Sequence, residues 1–369
     1  MKRKLKYFAL AFTSSFVMLL GGCKGNSYDK VSLTFKDMSL TEMIKLETED
    51  DVKEKIEWEE NFVLVSSADK TCACWASFEQ LVLNPYIEKT GVQIFYIDAE
   101  NLVSGYFGLP ISSSKSNTPV IGIYEDGKIK YKESYSYSNK IFSDLDAFTK
   151  YFEARVNLPT VEIISLDKFN ELLKTDKKFL INYGLSICPD CKAYDRLFLK
   201  EYISKPTKRS IPYYYLETLA EGMRIKDGKY GTLEATAQWE AFKDNYGLSA
   251  VKNTEKGYSP GFVPTIQLIE GDGTDHVASE DITPIIKEMM VFQNDQATYT
   301  DGVVTITDSY YDGVRATSYL GEYESFIGNE LSEEQYTYDE VKDEVKIVPL
   351  AVYEEHSKIA KIFLDKYWK

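Results

Sequence analysis

The chain has 369 residues, 44% of them hydrophobic and 14% aromatic, enough apolar side chain to bury two cores of ordinary domain size. Its formal charge is −15, and taking away Lys2, Arg3, Lys4 and Lys6 with the N-terminal segment leaves −15 minus 4, or −19. A body this acidic repels a phosphate backbone, which excludes nucleic acid as a partner, and charge does not draw it to an anionic membrane. Its two histidines, His276 and His356, stand isolated among polar residues, so histidine triads and zinc hydrolase sites are poorly supplied, and there is no D-x-[DN]-x-[DN]-G calcium loop.

Residues 1–22 read as a targeting segment: a basic start, then an apolar stretch over 7–20 that is short for a bilayer span. It closes on Leu20-Gly21-Gly22-Cys23. This resembles the lipobox of bacterial lipoproteins, which implies that Cys23 becomes the first residue and carries acyl chains. The expectation is a palmitate-type lipid anchor at the cell membrane with the mature body on its extracytoplasmic side, where disulfides persist. Residues 23–30 read as a polar tether. The other four cysteines form two close pairs, Cys72/Cys74 and Cys188/Cys191. The pairs lie more than a hundred residues apart, unlike the ribbon spacing of a four-cysteine zinc site, so neither a metal nor another cofactor is expected.

A first domain is read over 31–157. A strand at 62–65 leads through Thr71-Cys72-Ala73-Cys74-Trp75 into a helix with Phe78, Leu81, Val82 and Tyr86 inward, which Pro85 kinks or ends. A second strand covers 92–98. Thr118-Pro119 opens a hairpin turned at Asp126-Gly127, and an amphipathic helix over 143–155 closes the unit. The boundary falls at 157–160, brief and not a flexible linker.

The second domain, 158–369, repeats the pattern. Phe179, Leu180 and Ile181 form a buried strand; Cys188-Pro189-Asp190-Cys191 then opens a helix with Tyr194, Leu197, Phe198 and Tyr202 on one face. A shift of 116 (188 minus 72) superposes the two strand-to-helix segments, a shift of 119 places 95–98 on 214–217, and a shift of 145 places Pro119 on Pro264. Such register indicates a tandem duplication. Further elements are a helical stretch over 236–245, an insertion at about 271–300, a fourth strand at 302–307, and a closing helix over 356–368; the alternative is a separate small module from 298 onward.

In the second domain the cysteines stand at i and i+3, on one face of the helix, so their sulfurs can meet. Unpaired amide N–H groups at the helix start favour the thiolate of Cys188. In the first domain the register sets Trp75 against Cys191 and Cys74 against Asp190. A Cys72–Cys74 bond therefore needs a non-helical first turn. A free dithiol, a strained redox pair, a metal-capturing pair and a domain that has lost catalysis all stay open there.

The order β-α-β…β-β-α, with C-x-x-C after the first strand and X-Pro before the third, resembles the thioredoxin superfamily. The resemblance implies an α/β protein of two tandem thioredoxin-like domains, each a central mixed sheet flanked by helices. It further implies that Cys188 attacks and Cys191 resolves a mixed disulfide. The loops at Val263-Pro264 and Thr118-Pro119 would hold a cis proline against each cysteine pair and receive the partner peptide, with Cys72/Cys74 a secondary redox pair. Departures from the family are Ile187 where tryptophan usually precedes the first cysteine, Asn182 where the strand usually buries an acid, and Asp190, whose charge opposes a low thiol pKa. The expected function is a membrane-anchored thiol–disulfide oxidoreductase acting on exported proteins with thiols or disulfides and served by an unidentified redox partner. The alternative is a non-catalytic binding scaffold, since some bacteriocin export accessory lipoproteins look like thioredoxin domains of this type.

Overall fold

The computed structural model describes residues 29–67, 72–111, 118–205, 207–248 and 263–292, five short strands between 297 and 347, and a terminal helix with its last residues to 369. The signal segment and Cys23 lie outside the described residues. Domain one begins with β1 (Val31–Ser32), β2 (Phe35–Asp37), β3 (Ile44–Lys45), α1 (Glu49–Glu57) and β4 (Phe62–Ser67). A long helix follows, made of α2 (Ala73–Phe78), a π turn (Glu79–Leu83) and α3 (Asn84–Thr90). Then come β5 (Phe95–Asp98), the hairpin β6 (Val120–Glu125) and β7 (Lys128–Ser134), α4 (Leu145–Glu153) and β8 (Val156–Asn157). The sheet order is β3-β5-β4-β6-β7, with β3, β5 and β4 parallel and the hairpin antiparallel to them. At the hairpin tip both Asp126 and Gly127 have positive φ, as an Asp-Gly turn between twisted strands requires. A Cβ on Gly127 would come within 2.4 Å of the Ile56 carbonyl oxygen.

Domain two runs β9 (Val161–Ile163), α5 (Leu166–Leu173), β10 (Lys178–Gly184), and a second long helix of α6 (Pro189–Ala193), a π turn (Tyr194–Leu199) and α7 (Lys200–Ser204). It continues with β11 (Tyr213–Glu217), a small ribbon of β12 (Ile225–Lys226) and β13 (Lys229–Tyr230), α8 (Leu233–Asn245), β14 (Thr265–Glu270) and β15 (Ile286–Val291). Its sheet order, β15-β14-β10-β11-β9, reproduces domain one strand for strand and direction for direction. Helices cover both faces: α5 and α8 pack on Phe179, Ile181 and Tyr183, while the helix after Cys188 packs on Leu180, Tyr213 and Ile266. This is the expected fold, two thioredoxin-like α/β domains in tandem.

Three details differ from the sequence reading. First, the strands align with a shift of 117, not 116: Val65 pairs with Tyr96 and Ile121, whereas Asn182 pairs with Tyr215 and Ile266. A one-residue slip would send every side chain to the opposite face. The loop from strand to cysteine absorbs the residue, seven from Val65 to Cys72 and six from Asn182 to Cys188. Second, Pro85 does not end its helix, which continues to Thr90 past a π turn. Domain two has a π turn at the matching place with Glu201 where Pro85 stands, so proline is not its cause. The wider turn rotates the apolar face: Leu81 is 60% exposed, and Leu83, like Leu199, is buried in its place. Third, the strand beside β14 is β15, not 302–307. Met289 and Met290 are buried on opposite faces because helices cover both, so the segment lacks the alternation that marks a strand. The loop between the hairpin strands is thus 271–285, shorter than the insertion expected at 271–300. In it His276 Nε2 sits 3.0 Å from Asp272 Oδ2, so this histidine is not isolated.

Beyond β15, β16 (Ala297–Thr300), β17 (Val303–Ile306) and β18 (Glu330–Ser332) form one small sheet, and β19 (Thr337–Asp339) and β20 (Glu344–Ile347) form another. The terminal helix α9 (Leu350–Tyr367) returns to domain two, where Ala360, Phe363, Leu364 and Trp368 fill the core around Tyr194, Phe198 and Tyr213. Among the described residues no helix is long and apolar enough to cross a membrane.

The junction between the domains is a parallel ladder. Val31 and Ser32 pair with Val156 and Asn157, then Phe35, Lys36 and Asp37 pair with Val161, Glu162 and Ile163. The N-terminal thread therefore lies along the whole boundary and adds a sixth strand to domain two's sheet. Ion pairs join the domains as well: Lys192 with Glu54, Arg196 with Glu59 at 3.7 Å, and Lys200 with Asp126. Their acidic partners are more than half exposed, so each adds at most about 1 kcal/mol, and the ladder with the half-buried Phe35 does more to fix the junction.

Candidate functional site

Cys188 caps the helix in an extended conformation (φ −79°, ψ 125°), and its N–H donates to the Leu185 carbonyl at 2.9 Å. Its thiol donates to the Val263 carbonyl oxygen at 3.4 Å. Val263–Pro264 is the cis peptide among the described residues. Thus the fold brings together Cys188, Cys191, Val263 and Pro264, residues up to 76 apart (264 minus 188) in sequence.

Cys188 and Cys191 are free thiols of opposite character. The hydrogen bond from Cys191 holds the Cys188 pKa below its usual value, helped by the backbone N–H groups of Cys191 and Asp190. Burial and the Asp190 charge work against this lowering. Cys191 is pushed up, first by burial and then by its bond to Cys188. The outer sulfur thus gives up its proton more readily than the inner one. Ile187, 54% exposed in the turn before Cys188, offers apolar surface at the mouth.

Behind the pair, between the two domains, lies a cavity of ≈220 Å³. Cys191, Asn182, Tyr215, Glu217 and Asp195 line it from domain two, and Lys55, Trp58 and Glu60 from α1 of domain one and the residues that follow it. Tyr215 donates to Glu217 Oε2 at 2.9 Å, and its ring needs the absence of a side chain at Gly184, where a Cβ would come within 2.2 Å of it. Asn182 is 1% exposed with its Oδ1 unpartnered, and Asp195 Oδ1 is likewise buried without a partner. The sequence reading singled out Asn182 but missed Asp195, Tyr215, Glu217 and the share taken by domain one. Asp195 stands four residues after Cys191, a helical spacing that does signal a common face.

Domain one departs at the cysteine pair and at the proline loop. Cys72 is also an extended helix cap, φ −64° and ψ 131°, which frees it to bond Cys74: the disulfide is closed, with Cα atoms 5.2 Å apart. Of the open alternatives, this excludes the free dithiol in the state described. Trp75 occupies the place of Cys191, 2% exposed and packed on Tyr96 with ring centroids 4.8 Å apart. The Tyr96 hydroxyl is hydrogen-bonded to Asp98, the counterpart of Tyr215 and Glu217 at a shift of 119. Thr118–Pro119, expected as a cis-proline loop, is not cis; the Pro119 carbonyl instead accepts from the Tyr135 N–H at 3.0 Å, continuing the hairpin ladder. Among the described residues no group of three His, Cys, Asp or Glu is arranged to hold a metal.

The chain is similar to thioredoxin-domain proteins. Human ERp44 form I aligns over 65% of this chain and 54% of its own length, at 10% identity and a TM-score of 0.31. The first two thioredoxin domains of Naumovozyma dairenensis Eps1p align over 76% and 96%, at 13% identity and a TM-score of 0.19. Full-length ERdj5 aligns over 65% and 29%, at 10% identity and a TM-score of 0.21. The chain thus spans about half the length of ERp44. No protein-family model matches the sequence, and no curated protein sequence matches it.

Proposed function

We propose that this protein is a thiol–disulfide oxidoreductase that works through Cys188 and Cys191 alone. The observation that carries the reading is the asymmetry of that pair: a Cys188 thiol of lowered pKa held 3.4 Å from the Val263 carbonyl, backed by a buried, protonated Cys191. The Cys188 thiolate attacks a partner disulfide, forming Cys188–S–S–R and releasing the other partner sulfur as a thiolate. Cys191 then attacks Cys188 Sγ, closes the Cys188–Cys191 disulfide and releases the second partner thiol. The partner gains two electrons from the cysteine pair, and a dithiol of the surroundings reduces the Cys188–Cys191 disulfide to restore the starting state. The extended partner chain lies along Val263-Pro264 and the exposed Ile187.

Domain one serves as a non-catalytic half that closes the inner side of the site, because Trp75 replaces the resolving cysteine. The lipobox-like Leu20-Gly21-Gly22-Cys23 supports a lipid anchor and an extracytoplasmic body acting on exported proteins. Trapping tests the reading: Cys191→Ala should accumulate reductant-sensitive adducts that disappear in Cys188→Ser/Cys191→Ala. Partners captured equally well with both cysteines replaced, and retained in reductant, would instead establish the binding scaffold.

A further inference from the structure

On this reading Cys191 must lose its proton before it resolves a mixed disulfide, and burial opposes that loss. Cys191 lines the cavity between the domains, so the groups that share this lining are the candidate acceptors. Asn182 has an unpartnered oxygen but, as a neutral amide, no basicity to take up a proton. Glu217 has its oxygens engaged: Oε1 accepts from the Ser186 and Leu219 N–H groups at 3.1 Å each, and Oε2 from Tyr215 at 2.9 Å. Tyr215 is held protonated by burial and by that carboxylate. Asp195 remains, on the same helix four residues beyond Cys191, lining the same cavity with Oδ1 unpartnered.

We propose that Asp195, through water held in the cavity, accepts the proton of Cys191 during resolution, and that domain one enables this by walling the cavity beside the carboxylate. The cavity, ≈220 Å³ in volume, has room for several waters, with Asn182, Asp195, Glu217 and Lys55 among its lining residues to hold them. The step balances: the Cys191 thiol proton passes to the Asp195 carboxylate, and the Cys191 electron pair forms the bond to Cys188 Sγ. The Cys188–partner bond breaks and its electron pair leaves on the partner sulfur.

The groups around Asp195 fit the role. Thr34 from the N-terminal thread hydrogen-bonds it, while Glu60 and Lys55 face it from domain one. Arg196 and Lys200 flank it on its own helix, and Tyr215 and Glu217 stand on the facing strand. Lys55 is bound to Glu60 at 2.9 Å, and Lys200 to Asp126 and the Glu59 carbonyl, so neither cation is given over to Asp195. Burial first, then Glu60, raises its pKa to about 6, against the Thr34 bond and the two lysines. Asp195 is thus a carboxylate at neutral pH yet basic enough to hold a proton briefly.

The test uses the full chain with Cys23→Ser in detergent, loaded as the Cys188–thionitrobenzoate mixed disulfide, with release followed by absorbance from about pH 5 to pH 8. Release should rise through a midpoint near 6. Asp195→Asn should slow it about tenfold or more at neutral pH and remove that step, and Asp195→Glu should restore part of the rate. Asp195→Asn releasing at the unaltered rate and profile overturns the inference. So does an unaltered protein flat through pH 6, a result that needs no variant to fold. Release no faster than in Cys191→Ala would instead remove the oxidoreductase reading itself, and this inference with it.

Discussion

The two domains share a sheet order, a π turn at one place in the helix after the cysteines, and a tyrosine hydrogen-bonded to an acid two residues on. They differ in what stands three residues after the first cysteine. Cys191 gives domain two a free pair with a cavity behind it; Trp75 fills the corresponding place in domain one, and its cysteines bond each other. The frame is common to both domains, but the free cysteine pair stands in one alone, while the other walls the cavity. The comparison teaches that a shared fold does not by itself carry a shared site; a handful of positions decides it.

The largest effect expected is on Cys188. Cys188→Ser should abolish exchange with any disulfide substrate, measured as thionitrobenzoate release or reduction of a model protein disulfide, because no other free thiol of lowered pKa stands among the described residues. Activity surviving in Cys188→Ser would move the chemistry to domain one and break the comparison.

Packing comes next, read by denaturant unfolding. Leu83→Ala should cost about 2–5 kcal/mol, whereas Leu81→Ala, two residues away, should stay within about 0.5 kcal/mol. Equal costs would contradict the rotated helix face. Gly184→Ala should cost about 1–3 kcal/mol or more by driving into Tyr215, with loss of the Tyr215–Glu217 bond beside the site. No matching penalty is expected from small substitutions on the exposed face of α8.

Asp195 sets stability against chemistry. Its pKa rises from 3.8 unfolded to about 6 folded, so above pH 6 the folded state carries a buried charge at a cost of about 3 kcal/mol at most. Because the folded state binds the proton more tightly, that cost is relieved as pH falls from about 6 toward 3.8. Asp195→Asn should therefore be as stable as the unaltered protein, or more so, at neutral pH, and the difference should shrink at pH 5. Unfolding of both proteins across that range checks it; a variant destabilised most at neutral pH would show that Asp195 is held by its lysines.

Much of this frame is legible in the sequence because its signals are local and periodic: two strand–cysteine–helix segments, an Asp-Gly hairpin and two X-Pro strand starts. The cysteine pair and Val263-Pro264 are legible for the same reason. What escaped depends on neighbours distant in the chain. The pairing of Phe35–Asp37 with Val161–Ile163 is set by two short strands of weak pattern. β15 hides because Met289 and Met290 are both buried, and Leu81 looks inward because a π turn leaves no mark in composition. Asp195 reads as a surface charge until α1 and Thr34 cover it. The slip from 116 to 117 in the strands shows the limit of alignment by subtraction, since only the ladders reveal which face each residue takes.

The smallest effect expected is from Cys72→Ser/Cys74→Ser, which should leave exchange at Cys188 within about twofold, since that pair lies in the other domain's core, away from the cavity. The most direct measurement joins the two halves of the comparison: a redox titration of the full chain with mass-shift labelling that resolves each pair. Cys188/Cys191 should pass reversibly between dithiol and disulfide, at the same midpoint whether or not Cys72 and Cys74 are present. A Cys188/Cys191 pair that stays inert, or that changes state only together with Cys72–Cys74, would contradict an oxidoreductase centred on domain two.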